Sequence, residues 1–172
     1  MKSYIADGLL ALMARSNYSS ITVNQIVEKA GVHRSTYYRH FESKEDVIRY
    51  YFQRIIAEYV QSCTNVDLTY PQFLIGFFNH LLQYKTQLLV IHRNHLSHLL
   101  QDVYRHLLSS NVAKNKTTAE QYRTAFQIGG SASLLIFWFS RGMVDSAEQM
   151  TQYVLKILPA DYDSYLMPKN KS

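Results

Sequence analysis

A polar and aromatic run between His33 and His40 carries the side chains best suited to chemistry. Arg34 has a guanidinium that can donate two parallel hydrogen bonds to guanine O6 and N7. Thr36 or Tyr38 could touch a thymine methyl group or a phosphate. Exposed tyrosine, arginine and histidine on a short helix have little structural use, so the run favours recognition of double-stranded DNA. The alternative is a solvated face on a small bundle.

A second cluster consists of histidines. His92, His95 and His98 recur every three residues, with His106 further along. Residues three apart share a helix face, so two imidazoles could ligate zinc. No cysteine is close, however, and the nearest acid in that helix is Asp102. We therefore favour a polar, partly exposed helix face and expect no metal and no cofactor.

The elements that must position the polar run follow from capping residues. Thr22 can cap a helix, and Gln25 three residues later completes a possible capping box. That helix ends at Gly31, which suits a left-handed turn. A short helix over about 34–40 follows, and Ser43 can cap a longer helix that runs to about residue 62. This order predicts a helix-turn-helix whose second helix enters the major groove.

Composition indicates a basic protein with a sizeable core. The 172 residues are 47% hydrophobic and 18% charged, with a formal net charge of +5, which suits a polyanionic partner. A single cysteine, Cys63, fits a reducing cytoplasm. No apolar run reaches the roughly 18 residues of a membrane span. We therefore expect a cytoplasmic protein without membrane contact. We also expect no catalytic residues and no enzyme activity, because no nucleophile–base–acid set appears.

The rest of the chain predicts helices and no strands. Apolar residues at helical spacing indicate a first helix over about 3–15 and an all-α fold of about nine helices. The polar stretch 109–118 indicates an exposed loop, and 160–172 a frayed tail. The further predicted helices cover about 71–83, 86–92, 96–108, 119–141 and 146–158.

A family signature lies between Ile21 and Lys44. The sequence ITVNQIVEKAGVHRSTYYRHFESK resembles the tetracycline-repressor (TetR/AcrR) family, with Val27 and Tyr37 as mild departures from its pattern. The resemblance implies a helix-turn-helix DNA-binding domain over 1–45. A helical regulatory and dimerisation domain over 46–172 would follow, joined by a connecting helix over about 44–62. The matching positions are Thr22, Ile26, Ala30, Gly31, Val32, Tyr38, His40, Phe41, Ser43 and Lys44.

The same stretch supplies the candidate DNA contacts. Lys44 fits phosphate clamping, and Thr22 offers a hydroxyl and a helix N-terminus for the same purpose. Arg39 could contact a phosphate or merely pair with an acid such as Glu42, and His33 could be only a turn residue. The full candidate set is Thr22, His33, Arg34, Ser35, Thr36, Tyr38, Arg39, His40 and Lys44.

Five small residues, from Gly129 to Ser133, interrupt an apolar helix. Each glycine there costs about 1 kcal/mol relative to alanine. Close helix–helix approach at a two-fold interface would offset that cost, and so would tight packing within one subunit. One short reading helix also gives little specificity, which favours a homodimer formed by the last two helices. The interface candidates are Gly129, Gly130, Ser133 and Phe137.

The region from Phe126 to Met150 resembles a subgroup that includes regulators similar to activators of dihydroxyacetone-kinase operons. Aromatic residues at helical spacing in such a domain are either core or the lining of an effector cavity, which the family resemblance implies. The candidate lining is Phe73, Phe77, Tyr104, Tyr122, Phe126 and Trp138.

These observations together predict a sequence-specific DNA-binding transcriptional regulator. We expect a homodimer gated by a small-molecule effector that shifts the connecting helix and so changes the half-site spacing. The alternative is a DNA-binding regulator whose C-terminal domain is controlled by a partner protein.

Overall fold

Helices make up the ordered framework of the described chain. The computed structural model describes residues 1–112 and 117–157, and within these ranges it contains no strand. The predicted all-α class is thereby confirmed. The helices are α1 (Lys2–Met13), α2 (Val23–Ala30), α3 (Arg34–His40), α4 (Lys44–Ser62), α5 (Tyr70–Gln83), α6 (Lys85–Arg93), α7 (Leu99–Val112), α8 (Thr118–Ser140) and α9 (Ala147–Ile157), with a 3-10 turn at Tyr18–Ser20 between α1 and α2.

Polar caps fix where several helices begin. In α2, α5 and α8 a threonine side chain accepts a hydrogen bond from the N–H three residues later. The side chain of that later residue accepts one from the threonine N–H in return. These reciprocal bonds satisfy backbone donors that the first helical turn leaves without a partner. The pairs are Thr22 with Gln25, Thr69 with Gln72, and Thr117 with Glu120.

The chain packs into two compact units, each built from two stretches of sequence. Unit 1 comprises Met1–Arg54 and Thr86–Gly142, and unit 2 comprises Ile55–Lys85 and the chain from Met143 onward. In unit 1, α1 packs on α2 and α7 packs on α8. The division predicted at residues 45/46 separates the chain differently and stays a prediction.

Unit 2 is organised around α5, which packs against α9. The Tyr59 hydroxyl donates to the carbonyl oxygen of Phe73 at 2.7 Å. A Cβ atom on Gly76 would collide with that hydroxyl, so the close approach of the tyrosine to α5 requires glycine there. The ring of His80 is hydrogen bonded to the carbonyl oxygen of Ile55 at 2.8 Å.

One predicted loop is partly wrong. Residues 109–112, predicted as loop, are the last residues of α7. A polar stretch lengthens a helix at a cost of only tenths of a kcal/mol per residue once the helix is nucleated, so polarity did not mark its end. At the other end, α7 begins at Leu99 instead of residue 96, and residues 97–98 form a turn before it. Residues 113–116 and the predicted tail 160–172 lie outside the described residues.

Candidate nucleic-acid interface

The scaffold of the interface is the pair of helices α2 and α3. Gly31 ends α2 in the left-handed region at φ 65°, a conformation that glycine adopts without the penalty a Cβ would bring. Ile26 and Tyr37 are fully buried between the helices, and Phe41 is 5% exposed directly after α3. Val32, in the turn between the two helices, is half-buried.

The outward surface of α3 is polar. Tyr37 is buried on one face of α3, so the side chains on the opposite face lie toward solvent, as in any amphipathic helix. Thr36 and His40 are half-buried on the flanks. The exposed members of the surface are His33, Arg34, Ser35, Tyr38 and Arg39.

Arg34 is held in an exposed cluster that joins the two helices. Its Nη1 donates to Asn24 Oδ1 and its Nη2 to the Tyr38 hydroxyl, both at 3.3 Å. The guanidinium also lies over the Tyr38 ring, 5.4 Å from the centroid. Asn24 was not among the predicted contacts. Its place in the first turn of α2, ten residues before Arg34, is the only sequence signal that could have suggested it.

Thr22, one of the candidate DNA contacts, caps α2. Its hydroxyl accepts from the Gln25 N–H at 3.3 Å and donates to the Gln25 side-chain oxygen at 3.0 Å. The residue is exposed at the N-terminus of α2. The threonine therefore fixes the start of the helix that supports α3.

Lys44, the first residue of α4, connects that helix to the turn before α2. Its Nζ donates to the carbonyl oxygens of Tyr18 at 2.8 Å and Ile21 at 2.7 Å. The ammonium also sits 4.4 Å from the centroid of the Tyr18 ring. An ammonium has three donors, so these two bonds leave one for a phosphate.

Tyr18, which sequence reasoning missed, connects three elements of unit 1. Its hydroxyl donates to Glu45 Oε1 at 2.7 Å, and its backbone N–H donates to Asn94 Oδ1 at 3.1 Å. Burial and the bond to Glu45 raise the pKa of Tyr18 above its ordinary value. Burial pushes the pKa of Glu45 upward, but the hydrogen bond from Tyr18 helps bring it below its ordinary value.

Asp46, in the first turn of α4, forms hydrogen bonds with the backbone that precedes the helix. Its carboxylate accepts from the N–H groups of Glu42 at 3.2 Å and Ser43 at 2.9 Å, and Ser43 Oγ accepts from the Asp46 N–H at 3.1 Å. Arg49 Nη1 donates to the same carboxylate at 2.9 Å. Burial opposes ionisation, but the bonds from Ser43 and Arg49 hold the pKa of Asp46 below its ordinary value.

The histidine cluster does not assemble a ligand set. His92 Nδ1 is hydrogen bonded to Ser97 Oγ at 3.0 Å, and His98 Nδ1 to the carbonyl oxygen of His95 at 3.0 Å. Among the described residues no three His, Cys, Asp or Glu side chains are grouped as metal ligands. Cys63 is half-buried and not in a disulfide.

The interface candidates of α8 lie on one exposed stripe. Phe137 is 65% exposed, and Cβ atoms built on Gly129 and Gly130 meet nothing within 4 Å. Ser133 is exposed on the same face. Tyr122 and Phe126, predicted as cavity lining, continue this stripe at 75% and 78% exposure.

The other cavity candidates differ in burial. Trp138 is buried, whereas Phe73, Phe77 and Tyr104 are half-buried. Burial raises the pKa of Tyr104 above its ordinary value. Phe73 and Phe77 stack on each other in unit 2, 6.4 Å apart between ring centroids.

Residues 5–51 match the family model described as bacterial regulatory proteins, tetR family. They form a tetR-family domain. This match covers the helix-turn-helix and the first part of α4, and the recognition made from the Ile21–Lys44 signature is confirmed. The match assigns the helix-turn-helix part of the chain to the tetR family of bacterial regulatory proteins.

Solved structures of tetR-family regulators share the fold along most of the chain. The TetR transcriptional regulator from Streptococcus agalactiae 2603V is similar with a TM-score of 0.60 and 20% identity, covering 91% of this chain and 92% of that one. The dihydroxyacetone kinase operon activator DhaS gives 0.58 and 16%, with coverage of 91% and 92%. A tetR-family transcriptional regulator from Streptomyces coelicolor gives 0.50 and 16%, with coverage of 91% and 80%. At these identities the likeness concerns the fold.

No curated protein matches the chain. None of the helices in the described ranges has the length and apolar character needed to cross a membrane.

Proposed function

We propose that this tetR-family regulator works as a homodimer that binds a two-fold operator and releases or engages it in response to a small-molecule effector. The observation that carries the proposal is the exposed polar surface of α3, held outward by the buried Tyr37. A seven-residue helix reads only a few base pairs, so specificity requires two copies on half-sites about one helical turn apart.

The operator contacts divide by chemistry. Arg34 reads a base edge, because its guanidinium is exposed at the first position of α3 and can form a bidentate pair with guanine. Lys44 and Thr22 position phosphates at the base of the motif. The remaining contacts of the proposal are His33, Ser35, Thr36, Tyr38, Arg39 and His40.

Dimerisation is supported by the exposed stripe of α8. Its aromatic side chains and open glycines follow the 3.6-residue period over about four turns, and apolar patches of this kind mark protein–protein contacts. The two glycines would let a second α8 approach closely without a Cβ in the way. The stripe consists of Tyr122, Phe126, Gly129, Gly130, Ser133 and Phe137.

Transmission to DNA is supported by the way the first half of α4 is bound to α1. Arg54 Nη2 pairs with Asp7 Oδ1 at 2.9 Å, and the Tyr50 and Ser3 hydroxyls are hydrogen bonded at 3.2 Å. A shift of the connecting helix over about 44–62 therefore carries the domain over 1–45 with it. An effector that prefers one helix position changes the half-site spacing and so the DNA affinity.

The test begins with the operator. Genomic DNA captured by the purified protein is sequenced, and the recovered site is titrated in gel shifts at two salt concentrations beside random DNA of equal length. We expect the operator to bind at least about 10³-fold more tightly than random DNA. Equal affinities for the two would contradict sequence-specific regulation.

A further inference from the structure

A solvent-open groove of about 450 Å³ lies in unit 1 between α4 and α7. Its size falls within the range of small-molecule sites, although most such sites are more apolar. Its charged and polar lining distinguishes it from the aromatic cavity expected from the sequence, and none of the expected lining residues borders it. The groove is lined by Arg49, Gln53, Asp102, Val103, Arg105 and His106.

Two guanidiniums in the groove converge on one carboxylate. Arg49 Nε donates to Asp102 Oδ2 at 3.2 Å, and Arg105 Nη1 lies 3.7 Å from Asp102 Oδ1. Arg105 and Asp102 therefore form an ion pair, but their atoms are too far apart for a hydrogen bond. Asp102 thus occupies the position between two arginines that the carboxylate of a ligand would take.

Arg49 and Arg105 together have more N–H donors than the Asp102 carboxylate accepts. Arg49 uses two of its five N–H donors on Asp102 and Asp46. The Arg105 side chain is 72% exposed, so its planar fork faces solvent at the rim. Such forks match the oxygens of carboxylates and phosphates, and bidentate pairs are the strongest hydrogen bonds of this type.

We propose that this groove binds a compact oxyanion, a small carboxylate or phosphate ester, through Arg49 and Arg105. The inference rests on the proposed function for its regulatory consequence, since the groove would then be the effector site. A bound anion competes with Asp102 for the two guanidiniums. It therefore loosens the ion pair that joins α7 to α4, the helix that begins just after α3.

Calorimetric titration of the full chain without DNA tests the binding. The probes are succinate and inorganic phosphate at constant ionic strength, with glycerol as the uncharged control. We expect one of the two anions to bind with a Kd of about 1 mM or tighter and glycerol not to bind. Succinate binding alone identifies a carboxylate site, and phosphate binding alone identifies a phosphate site.

Three variants separate this site from a simple surface ion-pair network. Arg105→Gln changes an exposed side chain and should weaken anion binding about tenfold. Asp102→Asn removes the competing carboxylate and should strengthen it about three- to tenfold. Arg15→Gln, at an exposed arginine after α1 and outside the groove, should leave it unchanged.

Absence of binding up to about 10 mM, or equal binding by wild type, Arg105→Gln and Asp102→Asn, would overturn the proposal. Operator gel shifts without anion judge the proposed function separately. A protein that binds anion in the groove but fails to select an operator supports this site and contradicts only the regulatory proposal.

Discussion

Arg34 is the residue whose removal tests base reading most directly. Arg34→Ala should cost about 1–3 kcal/mol on the cognate operator, because a bidentate contact to guanine is lost. Arg34→Lys keeps the charge but lacks the planar fork, so it should recover phosphate attraction and not the base preference. Gel-shift titration of both variants on the operator and on a site with that guanine replaced provides the measurement. Equal losses on the two sites would assign Arg34 to the phosphate backbone.

Lys44 should contribute to folding as well as to DNA binding. Lys44→Met leaves the carbonyl oxygens of Tyr18 and Ile21 without their ammonium donor. We expect the free energy of unfolding to fall by about 1–2 kcal/mol, measured by urea denaturation. Lys29→Met, at an exposed lysine of α2, serves as the matched control and should change it little. If the variant is as stable as wild type, the residue acts on phosphate alone and only the salt dependence of DNA binding should flatten, by about one unit of slope.

The ring of Tyr37 packs in the core, whereas its hydroxyl makes no contribution to that packing. The residue is fully buried, its hydroxyl oxygen has no hydrogen-bond partner among the described residues, and burial raises its pKa to about 12. Tyr37→Phe removes the desolvated hydroxyl and keeps the packing against Phe41. We expect unfolding to cost about 1 kcal/mol more in the variant, as read from its thermal or urea transition. A less stable variant would show that the hydroxyl is satisfied in solution.

The position of a residue in the candidate interface could be predicted where it depended on the local sequence pattern. It could not be predicted where it depended on contacts between residues distant in sequence. The exposed face of α3 and the buried Ile26 follow from helical spacing within ten residues. The bond between Tyr18 and Asn94 joins positions 76 apart in sequence, and no local pattern encodes such a pair. For the same reason the two carbonyl partners of Lys44 were not foreseen, although its position in the signature was.

At the scale of elements, the exposed stripe of α8 makes a clear prediction about assembly. Gly130→Leu adds a side chain where the single chain has open space, so each chain should remain helical. Between two copies of α8 the same side chain would force the helices apart and yield monomers. Ser131→Leu, also exposed but turned well away from the stripe by the helical period, is the control and should stay dimeric.

Light scattering with a circular dichroism check measures the outcome. An unchanged dimer mass for Gly130→Leu would place the interface on another surface.

Helix starts were easier to predict than helix ends. Thr22 and Ser43 were identified as caps, and each accepts the expected backbone hydrogen bond. The end of α7 was missed because no glycine follows Val112 in the next few residues of the sequence, and polar residues alone do not break a helix. An N-cap is recognisable from neighbouring residue types, whereas a helix end without such a signal in the sequence is not.

At the scale of the whole molecule, a two-fold dimer predicts a strict dependence on operator geometry. Inserting about five base pairs between the half-sites turns one of them to the opposite face of the duplex. Affinity should then fall toward the non-specific level, while an insertion of about ten base pairs should restore part of it. Gel shifts on the three operators make the comparison. Identical affinity for all three would indicate that a single copy supplies the recognition.

The two compact units have a consequence for how the chain is made. Each unit combines an early stretch with a late one: the unit that begins at Met1 is completed only by residues 86–142, and the second only by the chain from Met143 onward. The ribosome releases the chain from its N-terminus. The first stretch of unit 1, which contains the helix-turn-helix, therefore has its core face exposed long before the helices that complete the unit emerge. We expect nascent chains stalled near residue 85 to be protease-sensitive and dependent on chaperones. The helix-turn-helix would acquire its mature stability only late in translation.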